Sequence, residues 1–167
     1  NYWSDYDGID ANKDGIGDIS YKIDNIAQDD HPLMGMFHDF NTYRGYRVNV
    51  VSNSTIESFE YFGSNSTIKM YVSNASSTQT FGFCRVCIPK ALISPPYTVM
   101  INDGLTEVLY FNDNIQDNGT HRWIYFAYRH SVHEVDIIPE FRPILILPLF
   151  ITATLLAIMV CRRKYFV

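Results

Sequence analysis

His121-Arg-Trp-Ile-Tyr-Phe-Ala-Tyr128 sets large side chains on both faces of one extended run, as a strand inside a sheet requires. Working outward, short apolar-periodic runs recur at 46–52, 58–62, 68–72, 82–88, 98–101, 107–111 and 133–137. Between them lie turn clusters such as Gly63-Ser-Asn, Ser73-Asn-Ala-Ser-Ser, Ser94-Pro-Pro, Asn102-Asp-Gly and Asp117-Asn-Gly. Eight strands of this length, separated by such turns, predict an antiparallel, Ig-like β-sandwich over residues 44–138. Pro89-Lys-Ala-Leu-Ile-Ser-Pro is too short for more than a helical turn.

The composition narrows the function. Of 167 residues, 47% are hydrophobic and 15% aromatic, enough to build a core and to exclude global disorder. A net charge of −5 with five Lys excludes nucleic acid as a partner, because phosphate binding needs a clustered basic face. The charge is uneven. Residues 144–167 hold three of the 13 basic residues and none of the 18 acids, so residues 1–143 carry −8.

That basic end follows Ile144-Leu-Ile-Leu-Pro-Leu-Phe-Ile-Thr-Ala-Thr-Leu-Leu-Ala-Ile-Met-Val160, seventeen residues without a charge. A helix of this length rises about 26 Å, near the lower limit for crossing a bilayer. The expectation is a single transmembrane helix over 142–161 and a cytoplasmic tail over 162–167 carrying Arg162, Arg163 and Lys164. The positive-inside tendency then places the N-terminal part outside the cell.

Residues 1–40 are acidic and punctuated by glycine. Asp10, Asn12, Asp14 and Asp18 occupy loop positions 1, 3, 5 and 9, with Gly15 at the sharp turn and the Ile16 carbonyl at position 7. Alternating short oxygen side chains suit a hard cation, so Asp10, Asn12, Asp14, Ile16 and Asp18 are the candidate Ca²⁺ ligands. Tyr21 stands where a helix–loop–helix site has its bidentate Glu, and helical flanks are absent.

Three resemblances accompany these residues. Asn-Tyr-Trp-Ser-Asp-Tyr at 1–6, the Asp/Asn loop and Pro32-Leu-Met resemble the segment closing right-handed β-helix domains of the NosD-like (CASH) type. The resemblance implies the end of a β-helix whose other coils precede Asn1. Gly82-Phe-Cys-Arg-Val-Cys-Ile-Pro-Lys and Asn118-Gly-Thr-His-Arg-Trp-Ile-Tyr-Phe resemble a sandwich module found before the anchors of archaeal surface proteins. Pro139, Glu140 and Phe141, before an apolar run and a basic end, resemble PEF-type sorting signals of such proteins.

Sequons at Asn53, Asn65, Asn74 and Asn118 fall at predicted turns or strand edges and are candidate glycosylation sites. Cys84 and Cys87 form C-x-x-C inside a strand, where their side chains diverge and suit neither a disulfide nor zinc. His130 and His133 diverge for the same reason. His31, Met34, Met36 and His38 offer soft donors to Cu(I), although Met34 reads more simply as packing. Asp29 and Asp30 read as solvated loop rather than as a glycosidic pair.

Together these features predict a non-catalytic, membrane-anchored surface protein. A calcium-stiffened β-helix end and a sandwich stalk would display an upstream domain to surface polysaccharide or other surface proteins. The rival readings are the anchor end of a polysaccharide lyase or hydrolase, and a NosD-like copper-binding protein.

Overall fold

Side-chain alternation builds two facing antiparallel sheets. The computed structural model describes residues 1–105, 107–140, 151–155 and 158. Its strands are β1 (Tyr21–Lys22), β2 (Gln28–Asp29), β3 (Met36–Asn41), β4 (Arg47–Ser52), β5 (Thr55–Phe62) and β6 (Thr67–Ser73). They continue as β7 (Phe81–Pro89), β8 (Tyr97–Ile101), β9 (Val108–Asp117), β10 (His121–Arg129) and β11 (His133–Pro139). One sheet runs β3-β4-β7-β10-β9, the other β5-β6-β11-β8, and β1 pairs with β2 alone.

The inward residues of both sheets make one core. Val48 and Val50, Cys84 with Val86 and Ile88, and Ile124 with Phe126 and Tyr128 come from the five-stranded sheet. Facing them are Ile68, Met70 and Val72, Val99 and Ile101, and Val135 and Ile137. Two sheets packed face to face about 10 Å apart bury every second residue in this way. The turn after β7 adds Leu92 and Ile93, and Tyr61 and Tyr97 donate their hydroxyls to the carbonyls of Leu92 and Ile93.

β9 extends beyond the expected 107–111 to Asp117, through a bulge opposite Trp123–Tyr125 that admits the polar residues Asp113 and Asn114. The β9–β10 turn is held by Asp117, which receives Lys90 Nζ at 2.6 Å, Gly119 N at 2.8 Å and Arg122 Nε at 3.1 Å. These donors, Lys90 foremost, hold its carboxyl at about 2. A carboxyl depressed by folding stabilises the fold above its ordinary value of 3.8, and that contribution is lost as pH falls towards about 2. Asp117→Asn is therefore expected to flatten the acid limb of a Tm-against-pH curve in that window. An unchanged limb would show that the turn does not contribute.

The N-terminal segment corrects the β-helix expectation. No solenoid coil is present among the described residues. Residues 1–35 are seated instead on the outer face of the five-stranded sheet through residues 13–16 and 33–35. There Leu33 and Met34 pack with Val51, Phe83 and Tyr125. The segment's ladder is minimal: bridges from Leu33 to Tyr2 and Ile16, plus the β1–β2 hairpin. The physical reason is that its apolar end finds a sheet face to cover, the face that makes β10 apolar on both sides.

The membrane expectation is corrected too. Among the described residues no helix is long and apolar enough to cross a membrane. Among the described residues, 151–155 and 158 are helical. A single-pass anchor with an extracellular N-terminal part and a cytoplasmic end is therefore not supported. Most of 142–161, together with Phe141, Arg162, Arg163 and Lys164, lies outside the described residues. Pro139 is the last residue of β11, and the Glu140 amide donates to the Pro96 carbonyl at 2.8 Å, so this part of the motif belongs to the sandwich.

Candidate functional site: the Asp/Asn loop and its seat

Residues 10–18 fold around their own amides. Asp10 accepts from Asp14 N at 2.9 Å through one carboxylate oxygen and from Gly15 N at 2.8 Å through the other. Asn12 Oδ1 accepts from Asp14 N at 3.1 Å, and Asp14 Oδ1 from Ile16 N at 2.8 Å. Asp18 Oδ2 closes the loop by accepting from Ala11 N at 2.7 Å. The Asn12 and Asp14 bonds, each to the amide two residues on, are Asx turns, and such side-chain bonds replace ladder hydrogen bonds. Gly15 sits at φ +80°, the left-handed region that glycine enters without strain.

The sheet holds this loop from below. Arg85, pointing outward from β7, donates Nη1 to the Asp14 carbonyl at 2.9 Å. Its stem also lies under Gly15, where an added Cβ would stand 3.0 Å from Arg85 Cβ. Lys13 Nζ sits 4.2 Å from the centre of the Tyr110 ring on β9, a cation–π contact. Further back, Met34 N donates to Gly15 O and Gly17 N to Pro32 O. Burial pushes the Asp10 carboxyl up despite the amides of Asp14 and Gly15, and burial pushes the Arg85 guanidinium down. The acidic loop is thus partly desolvated against one cation of the sheet.

The donors fit a hard cation chemically, since Asp10, Asn12, Asp14, Asp18 and the Ile16 carbonyl are all oxygen. Each accepting side-chain oxygen keeps a second lone pair beside its amide bond. Tyr21, at the expected twelfth position, instead bonds both carboxylate oxygens of Asp5 at 2.9 Å.

The remaining candidates separate. Asn65, Asn74 and Asn118 are exposed at turns. Asn53 instead spends its amide on the start of β7, donating to Phe81 O at 3.0 Å and accepting from Phe83 N at 2.9 Å. Cys84 faces the core and Cys87 the outer face, and burial pushes both thiols up to about 11. Met34 packs under the loop, whereas Met36 is exposed and His38 stacks on Phe40. Asp29 accepts from the Trp3 indole at 2.9 Å, and Asp30 from Ser20 and Gln28.

His130 and His133 do not diverge as strand alternation would have it: His130 lies in the turn after β10, and both rings stand edge-to-face with Tyr128. Both His130 ring nitrogens are buried without a hydrogen bond. His133 Nε2 donates to Arg129 O at 2.7 Å, and its Nδ1 lies 3.0 Å from Asn102 Nδ2 and 3.2 Å from Glu107 Oε2. It lines a cleft of about 500 Å³ with Asn102, Glu107, Leu109, Arg129 and Ser131. Arg85 and Tyr110 were not among the sequence candidates, although a lone Arg inside Phe83-Cys-Arg-Val-Cys87 is a usable signal. No family model matches this chain, and neither the curated proteins nor the solved structures contain a match to it.

Proposed function

We propose that the chain is a non-catalytic spacer and display module, in which residues 1–35 and the sandwich act as one mechanical unit. The observation that carries this reading is the seat of the loop on the sheet through Arg85, Gly15, Leu33 and Met34. A strap fixed along a sheet face transmits load without bending at a linker. The nucleophile-bearing side chains of the sheet interior support the same reading: Ser52 donates to Phe83 O, Ser54 and Tyr128 share a 2.7 Å bond, and burial raises the Cys84 and Cys87 thiols to about 11. Calcium on Asp10, Asn12, Asp14, Asp18 and the Ile16 carbonyl would stiffen the strap further. Pulling the protein between residues 1 and 139 is expected to give one cooperative unfolding event, at higher force with calcium than with chelator. Two separate events would overturn the spacer reading, and equal forces would overturn the calcium part alone.

A further inference from the structure

A second acidic group lies on the outer face of the four-stranded sheet, far in sequence from the loop. Glu134 and Asp136 alternate on β11, so both point away from the core lined by Val135 and Ile137. Asp103 joins them from the β8–β9 turn, and one carboxylate oxygen from each of the three lies within 4.8 Å of the others. The turn is fixed in place. Asn102 and Asp103 both have positive φ, +50° and +60°; Asn102 N donates to Glu134 O at 2.9 Å, and Glu134 N donates to Asn102 Oδ1 at 3.1 Å.

One ammonium reaches two of these three carboxylates. Lys69 on β6 bonds Glu134 Oε1 and lies 3.6 Å from Asp136 Oδ1; Tyr71 donates to the other Glu134 oxygen. Asp103 bonds nothing among the described residues. Asp136 is the telling member: it is 7% exposed, and its Oδ1, 3.6 Å from Lys69 Nζ, has no hydrogen bond. Burial drives its carboxyl up more strongly than Lys69 draws it down. A buried anionic oxygen without a hydrogen bond is costly, and charge pairing at 3.6 Å satisfies it incompletely.

We propose that Asp103, Glu134 and Asp136 form a divalent-cation site of calcium type, in which Lys69 is the stand-in cation. A hard ion takes one oxygen from each carboxylate, with water completing the shell on the exposed Asp103 side. Lys69 then swings to solvent, because an ammonium and a divalent ion compete for the same oxygens. The site shares no ligand with the loop at residues 10–18, so the two are separable.

Isothermal titration of calcium into the whole chain carrying Asp14→Asn tests the proposal with the loop impaired. One calcium is expected to bind, with terbium luminescence sensitised by Tyr71 reporting the same site. Adding Asp136→Asn should abolish binding, and adding Lys69→Met should tighten it at least tenfold. Asp103→Asn, at a position with no structural bond to lose, should weaken binding at least tenfold and covers the case in which the Asp136 variant misfolds. No calcium heat in Asp14→Asn, or binding indifferent to Asp103 and Asp136, would overturn the site.

Discussion

Gly35→Ala is expected to lift residues 1–35 off the sandwich. A Cβ at this position would lie 2.2 Å from Ser52 C, 2.3 Å from Ser52 O and 2.6 Å from Asn53 N, all backbone atoms. The sheet cannot recede to make room. Ser52 is fully buried, its hydroxyl donates to Phe83 O at 2.7 Å and accepts from Ser54 N at 3.0 Å, and β4 is paired on both sides. The strap must therefore yield. It takes with it the packing of Leu33 and Met34, where full burial of such side chains is worth about 1.5–3 kcal/mol each. Both are only partly buried, so a total cost of about 3 kcal/mol is expected, or a Tm fall of roughly 6–12 °C at this chain length. Hydrogen exchange should accelerate at Asp14, Gly15, Ile16 and Met34 while β6 and β11 keep their protection. Native protection across the strap in the Gly35→Ala variant would show that the close approach is not what seats it.

The sandwich is legible because its strands alternate cleanly. Ile68, Met70 and Val72, or Val99 and Ile101, are spaced by two, and that spacing leaves only one face to bury. β3 is not legible. Met36-Phe-His-Asp-Phe-Asn41 mixes soft donors with an acid, and its edge position leaves Met36 and Phe37 about half exposed. The seat of the strap is hidden for a deeper reason. Pro32-Leu-Met says that something apolar must be covered but not which surface does the covering, and a neighbouring coil or a sheet face meets the demand equally. A charge-free run likewise states only a length of apolar sequence, and among the described residues no helix is long and apolar enough to cross a membrane. The Asp/Asn loop is readable in its spacing, while its anchor, Arg85, lies 71 residues from Asp14.

Arg85 couples strap and sheet through a charged hydrogen-bond donor, and Arg85→Met isolates that coupling. Methionine keeps an apolar stem beneath Gly15 and removes the donor to Asp14 O and the positive charge beside Asp10 and Asp14. A hydrogen bond from a charged donor is worth about 1.5–3 kcal/mol, so a loss of about 2 kcal/mol is expected at neutral pH. The pH dependence separates lost charge from lost packing. The Asp10 carboxyl is already raised by burial, and removing the guanidinium it interacts with is expected to raise it further. A carboxyl raised by folding destabilises the fold when ionised, and that penalty is relieved as pH falls through its folded value towards 3.8. The Tm deficit of Arg85→Met should therefore be largest near neutrality and shrink on acidification through that range. Arg85→Met/Asp10→Asn, with the buried carboxylate neutralised, should show a smaller deficit that no longer varies there. A deficit that stays constant with pH in the single variant would mean that Arg85 holds the strap by packing alone.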